Sequence, residues 1–91
     1  GYYREGAFGI RIENIVVVQK AEPLTGGDDR EKLCFETLSY APINRRLIDV
    51  DMLSRVERDW LNAYHAECRA RLGSLVDGEV ATWLAAATEP L

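Results

Sequence analysis

Arg11 and Glu13 are the residues of this sequence best placed to take part in chemistry, because they lie two positions apart in an alternating run of apolar residues. In an extended strand they would project from the same face, roughly 6.7 Å apart along the chain. A carboxylate is a suitable ligand for Mn, Mg or Zn ions, and a charged neighbour can orient it. On a solvated strand face the same pair would have no such role, and antiparallel sheets often have one wet face. One Glu by itself is not a metal site.

Two hydrophobic residues favour a covered face over a solvated one. Ile15 and Val17 continue the face that carries Arg11 and Glu13, so a layer that covers them would cover the ion pair as well. Taking an ion out of water costs several kcal/mol, and a buried pair therefore needs a compensating partner such as a metal or another charge. We expect the pair to lie in the interior of a larger structure.

The remaining candidate residues are better explained by structure than by chemistry. His65 stands alone beside Tyr64 on a predicted helix, and we expect it to be a hydrogen-bonding residue and not a ligand. Cys34 and Cys68 lack the C-x-x-C spacing, so the sequence predicts two reduced, mostly buried thiols, as is usual in a cytosolic protein. The Gly-Gly-Asp-Asp run at 26–29 lacks the Gly-Lys-Ser/Thr ending of a phosphate-binding loop.

Composition excludes several classes of partner. The net charge is −4 and the pI is near 4.9, with both signs interspersed, so no basic face is available for nucleic acid or an acidic membrane. The apolar runs are too short to cross a bilayer. At 91 residues, 47% of them hydrophobic, the chain is at most one small domain with a thin margin of stability.

The predicted fold class is α+β, an antiparallel β-hairpin followed by two C-terminal helices. Alternation over 8–19 predicts one strand, and residues 33–40 predict a second, joined to the first by a loop over 20–32. Ser54 and Glu57 have the spacing of a capping box and predict a helix that closes at Gly73. A second helix is predicted from about 77 to 87.

Helical spacing also predicts which residues of the two helices face inward. They are Val56, Trp60, Leu61, Tyr64, Cys68 and Leu72 on the first helix, and Val80, Trp83, Leu84 and Ala87 on the second.

Several stretches of the chain resemble the closing part of Xaa-Pro aminopeptidases, which belong to the creatinase-like "pita-bread" metallopeptidases. The most specific is Gly-Ala-Phe-Gly-Ile-Arg-Ile-Glu-Asn at 6–14, preceded by Gly-Tyr-Tyr at 1–3. The similarity continues in Phe-Glu-Thr-Leu at 35–38, Pro-Ile at 42–43, Leu-Ile-Asp-Val-Asp at 47–51, Trp-Leu-Asn-Ala-Tyr-His at 60–65, Trp-Leu at 83–84 and Thr-Glu-Pro-Leu at 88–91. It therefore covers nearly the whole chain.

The resemblance implies a site in which two Asp, one His and two Glu hold two divalent metal ions, usually manganese. It identifies Glu13 as the second Glu, which bridges both metals, and Arg11 as an arginine that supports the ligand shell and the substrate network. The other ligands would precede Gly1, so no catalytic site is complete in this chain. The opening residues look like those of a piece cut from a longer protein.

The same resemblance implies a function for the parent protein. It would be a cytoplasmic, homodimeric aminopeptidase that acts on peptides with proline at the second position. Residues 1–40 would be the end of the catalytic domain and of its pita-bread sheet, and residues 41–91 a C-terminal helical extension. The 91-residue piece alone would be inactive and would bind no metal.

Three alternatives remain open from the sequence. The first is a pseudo-peptidase of the same fold, kept for protein–protein contacts or dimerisation. The second is another member of the family, such as a prolidase or a creatinase, which the helical tail disfavours. The third is a free-standing interaction domain. The residues that precede Gly1 would separate the enzyme from the pseudo-peptidase.

Overall fold

A computed structural model describes residues 1–91, and the chain divides in it into two compact units, residues 1–39 and residues 40–91. The first unit holds four strands: β1 (Tyr2–Arg4), β2 (Phe8–Ile10), β3 (Val16–Lys20) and β4 (Leu33–Thr37). The second holds two 3₁₀ turns, Arg45–Leu47 and Val50–Met52, followed by helices α1 (Arg55–Leu72) and α2 (Gly78–Ala87). The predicted α+β class, with hairpin strands before two helices, is confirmed.

The first unit consists of two separate antiparallel hairpins. Strand β1 pairs with β2, and the turn between them is made by Gly6, whose φ of 69° favours a residue without a side chain. Strand β3 pairs with β4 in a register that sets Val17 opposite Glu36. No residue of this unit is buried. The strands therefore have a backbone ladder but no hydrophobic core of their own.

The prediction of one strand over residues 8–19 is wrong in its extent. The chain leaves strand conformation after Ile10 and resumes it at Val16, so residues 11–15 lie between two different hairpins. A strand is defined by its pairing partner, and neither two-stranded sheet of this chain includes residues 11–15, although the Ile15 backbone bonds to Leu38 and Ser39. The second predicted strand is also shorter than expected and ends at Thr37.

Helix α1 begins as its sequence predicts. The Ser54 hydroxyl accepts a hydrogen bond from the Glu57 amide, and the Glu57 carboxylate accepts one from the Ser54 amide at 2.9 Å. This capping box satisfies two amides of the first turn that have no partner within the helix. Gly73 is the C-cap, and its amide donates to the Arg69 carbonyl.

The core of the second unit lies on one side of α1. Leu61, Tyr64 and Cys68 are buried there, as the helical spacing predicted. The residues packed against them come from the segment before α1 and from the C-terminus: Tyr40, Ile43, Ile48, Leu53 and Leu91. On α2, Leu84 is buried, as predicted.

The inward orientation predicted for four other residues is wrong. Trp60 and Trp83 are 56% and 58% exposed, and Val56 and Val80 are also exposed. The apolar stripe of each helix is wider than the surface that the rest of this small unit can cover. Periodicity identifies an apolar stripe but cannot say which part of it has a neighbour.

Candidate functional site

The structure brings Arg11 and Glu13 together as an ion pair with two contacts. The Arg11 Nε atom donates to Glu13 Oε1 at 2.7 Å, and a second guanidinium nitrogen lies 2.5 Å from the same oxygen. Both contacts fall on Oε1. The other carboxylate oxygen, Oε2, therefore stays available to a further ligand.

The segment that carries this pair is anchored at its C-terminal side. The Ile15 amide donates to the Ser39 hydroxyl at 2.8 Å, and the Ile15 carbonyl accepts from the Leu38 amide at 2.8 Å. These contacts extend the β3–β4 ladder beyond Val16. Glu13 thus lies two residues before a fixed point of the hairpin, and strand β2 ends just before Arg11.

The ion pair is solvated in the 91-residue chain. The side chains of Arg11 and Glu13 are 61% and 59% exposed, and Ile15 and Val17 beside them are exposed as well. An ion pair in water contributes roughly 0–1 kcal/mol to stability. Burial of this pair needs a covering layer from outside residues 1–91, so the expected interior location stays a prediction.

The residues present do not complete a metal site. No group of three or more His, Cys, Asp or Glu side chains comes together in residues 1–91. The Glu13 carboxylate is a suitable donor for a hard divalent ion, but a stable site needs several such donors. Within residues 1–91, Glu13 is therefore not part of a cluster of candidate ligands.

His65 has the structural role that its sequence context predicted. Its side chain is fully buried, and its Nε2 atom accepts a hydrogen bond from the Ile43 amide at 3.1 Å. Burial lowers the pKa of the imidazole below its ordinary value of 6.5, and the nearby Arg45 charge lowers it further. His65 holds the segment before α1 against the helix.

The two cysteines are free thiols in different surroundings. Cys68 is fully buried, and its burial raises the pKa of the thiol. Cys34 is half-buried, and its sulfur lies 3.9 Å from the Lys20 carbonyl.

A stack of aromatic rings in the second unit was not predicted. The Trp60 ring lies parallel to Tyr64 with centroids 5.6 Å apart, and Tyr64 stacks on Tyr40 at 6.5 Å. The Arg71 guanidinium lies 4.3 Å above the Tyr40 ring and closes the stack. The i, i+4 spacing of Trp60 and Tyr64 indicates that these two side chains are neighbours on the helix. Tyr40 lies outside the helix, and its contribution has no local signal.

The contacts of two arginines with the C-terminal end of α2 and the residues after it were not predicted from the sequence. Arg69 donates to the Thr88 hydroxyl at 2.9 Å and to the Ala85 carbonyl, while Arg45 donates to the Glu89 and Pro90 carbonyls. Cations stabilise the C-terminal end of a helix, where carbonyl groups lack partners. Both arginines come from elsewhere in the unit, so sequence spacing did not reveal the contacts.

Neither helix of the structure is both long enough and apolar enough to cross a membrane.

Comparison with known families defines the class of protein. Residues 31–91 match the family described as the "C-terminal region of peptidase_M24". The chain belongs to this family. The match takes in strand β4 and the whole of the helical unit.

Individual relatives resemble the chain over its whole length. It is 45% identical over 91 residues to "Aminopeptidase P1" of Arabidopsis thaliana, and 44% identical over 92 residues to "Aminopeptidase P2" of the same plant. It is 42% identical over 93 residues to the "Probable Xaa-Pro aminopeptidase P" of the fungus Sclerotinia sclerotiorum. Each alignment covers 100% of this chain but only 13% to 16% of the relative. The resemblance to the C-terminal part of an Xaa-Pro aminopeptidase is confirmed.

Proposed function

We propose that this chain is the C-terminal part of a dinuclear-metal aminopeptidase that removes an N-terminal residue preceding proline. The observation that carries the proposal is the alignment with proteins named Xaa-Pro aminopeptidase, which runs the full length of the chain. It therefore includes Arg11 and Glu13 as well as the helical unit.

Within that enzyme, Glu13 is the carboxylate that bridges two divalent metal ions, and Arg11 orients it. The geometry of the pair supports the orienting role of Arg11, because two of its nitrogens contact Glu13 Oε1. A guanidinium that fixes a carboxylate in this way acts as a positioning residue. When bound, two metal ions supply an activated hydroxide and polarise the scissile carbonyl.

The two units have different parts in this proposal. Residues 1–40 are the end of the metal-bearing sheet, and residues 41–91 are a helical extension with no ligand of its own. The parent is a cytoplasmic homodimer whose metal is manganese and whose substrates are peptides with proline at the second position. The isolated 91-residue chain is inactive.

The test is the substitution Glu13→Gln in the whole protein, with Glu36→Gln as the matched control. Both residues are exposed glutamates of the first unit in this chain, but Glu36 lies on strand β4, away from Arg11. Glu13→Gln should lower the bound metal, measured by elemental analysis, and should abolish hydrolysis of a peptide with proline at the second position. Glu36→Gln should retain both. Full metal content and activity in the Glu13→Gln protein would overturn the assignment.

A further inference from the structure

His65 connects helix α1 to the segment that opens the second unit. It is the only histidine of the chain, and its side chain is 0% exposed. Its Nε2 atom accepts the Ile43 amide at 3.1 Å, across 22 positions of sequence. We call this hydrogen bond the latch. The segment that it holds begins directly after the boundary between the two units.

The latch requires a neutral imidazole. An Nε2 atom that accepts a hydrogen bond carries no proton, so the ring proton is on Nδ1. Nδ1 is buried and has no hydrogen-bond partner. A second proton would have to enter at Nε2, where it would face the Ile43 amide donor. Two donors cannot share one hydrogen bond, so protonation and the closed latch exclude each other.

The surroundings of the ring also oppose a positive charge. On α1 the neighbouring titratable groups are Tyr64, whose ring centroid lies 6.1 Å away, Cys68 at i+3, and the Arg69 cation at i+4. On the facing segment, the charged group that acts on the ring is Arg45, which is itself a cation. Neither ring nitrogen is hydrogen-bonded to a carboxylate.

We propose that the latch is sensitive to acid, so that protonation of His65 releases residues 41–47 from helix α1. Two other sets of polar contacts hold the segment: the Tyr64 hydroxyl donates to the Ala41 carbonyl at 2.8 Å, and Arg45 donates to the Glu89 and Pro90 carbonyls. Neither set contains a carboxylate or an imidazole. The hydrophobic contacts of the segment are likewise insensitive to pH. The release therefore depends on His65 alone and is local to the segment.

The pH range follows from the two states of His65. In the closed state the pKa of His65 is below 6.5, whereas in the released state the ring is solvated and has its ordinary pKa. The closed state is fully favoured above pH 6.5 and becomes less favoured as the pH falls below it. Each pH unit below 6.5 raises the released population about tenfold, until the pH reaches the pKa of the closed state.

The test is hydrogen–deuterium exchange of the whole protein at pH 7 and pH 5, corrected for intrinsic exchange rates and analysed by mass spectrometry. Peptides that cover 41–47 should lose protection at pH 5, by up to about 30-fold, the limit set by the 1.5 pH units below 6.5, while peptides from α1 and α2 should not. The variant His65→Gln offers an acceptor that does not titrate, and its protection should not change between the two pH values. Arg46→Lys, at an exposed arginine of the same segment, keeps the charge and should retain the wild-type response.

Three outcomes would overturn the proposal. The first is unchanged protection of 41–47 in the wild type at pH 5. The second is an equal loss of protection over α1, which would mean unfolding of the whole unit. The third is a loss of protection of 41–47 in His65→Gln equal to that in the wild type. The wild-type comparison of the segment with α1 decides the matter even if His65→Gln does not fold.

Discussion

At the scale of single residues, the ion pair of Arg11 and Glu13 is the feature on which the proposed link to catalysis depends. Both guanidinium contacts fall on one oxygen of the carboxylate, so the side chain of Glu13 is oriented before any other partner is present. Orientation of this kind matters for a ligand, because a carboxylate that rotates freely loses entropy when it binds a metal. The contribution of Arg11 is therefore expected in metal affinity more than in folding.

Substitution of Arg11 tests that expectation. In the whole protein, Arg11→Met should weaken metal binding or activity by about 10–100-fold, which is the usual effect of losing a group that orients a ligand. Arg4→Met is the matched control, because Arg4 is an exposed arginine on strand β1 of the same unit. Metal titration of the two variants under identical conditions gives the comparison. Equal affinities would show that Glu13 does not depend on Arg11.

At the scale of elements, the helices depend on local signals and the strands do not. Helix α1 begins at a capping box that is complete in the sequence from Ser54 to Glu57. The hydrogen bonds from Ser54 lower the pKa of Glu57, so the box loses strength when the pH falls through the titration range of that carboxylate. Such an element can be predicted from the residues that form it.

The contribution of the cap can be measured with Ser54→Ala. Loss of an N-cap hydroxyl destabilises a helical unit by about 1 kcal/mol. Ser74→Ala is the control, because Ser74 lies in the exposed turn after α1. Both tryptophans of the chain, Trp60 and Trp83, lie in the second unit, so their fluorescence during urea denaturation reports the unfolding of that unit. A Ser54→Ala midpoint equal to that of the control would contradict the role assigned to the cap.

The errors of prediction share one physical cause, which is dependence on distant parts of the molecule. Residues 11–15 alternate like a strand, but neither two-stranded sheet of this chain includes them. Trp60 and Trp83 have the spacing of core residues, yet both are more than half exposed. Local pattern predicted Leu61 and Leu84 correctly, because these residues lie at the centre of their stripes. The proposal that Glu13 is a ligand depends on resemblance, since spacing alone left a solvated face equally open.

At the scale of the whole molecule, the two units differ in their capacity to stand alone. The helical unit has a buried core, whereas the strand unit has no buried residue at all. An isolated two-stranded hairpin is marginally stable in water. The strand unit also exposes apolar side chains on unpaired edges, including Val16, Val17 and Phe35. Such edges pair with other chains when nothing covers them.

The isolated 91-residue chain should therefore self-associate through its first unit. Light scattering should show a mean mass that rises with concentration, and Val17→Lys should shift it toward the monomer, because a charge on an edge strand opposes pairing. Val80→Lys is the control, since Val80 is also an exposed valine but lies on helix α2. A monomer at high concentration, or an equal effect of both substitutions, would exclude association through the strands.

The isolated chain should also fail to bind manganese tightly, because it offers too few ligands. A divalent ion of this kind takes about six ligands, several of them from the protein in a stable site, whereas residues 1–91 contain no cluster that could supply them. Glu13 provides one carboxylate, more than half exposed, which must compete with water for the ion. Isothermal titration with manganese should therefore give no micromolar binding to the isolated chain, and Glu13→Gln should not alter the result. Micromolar binding to the isolated chain, lost in Glu13→Gln, would mean that the site is assembled within these residues and not completed by the rest of the enzyme.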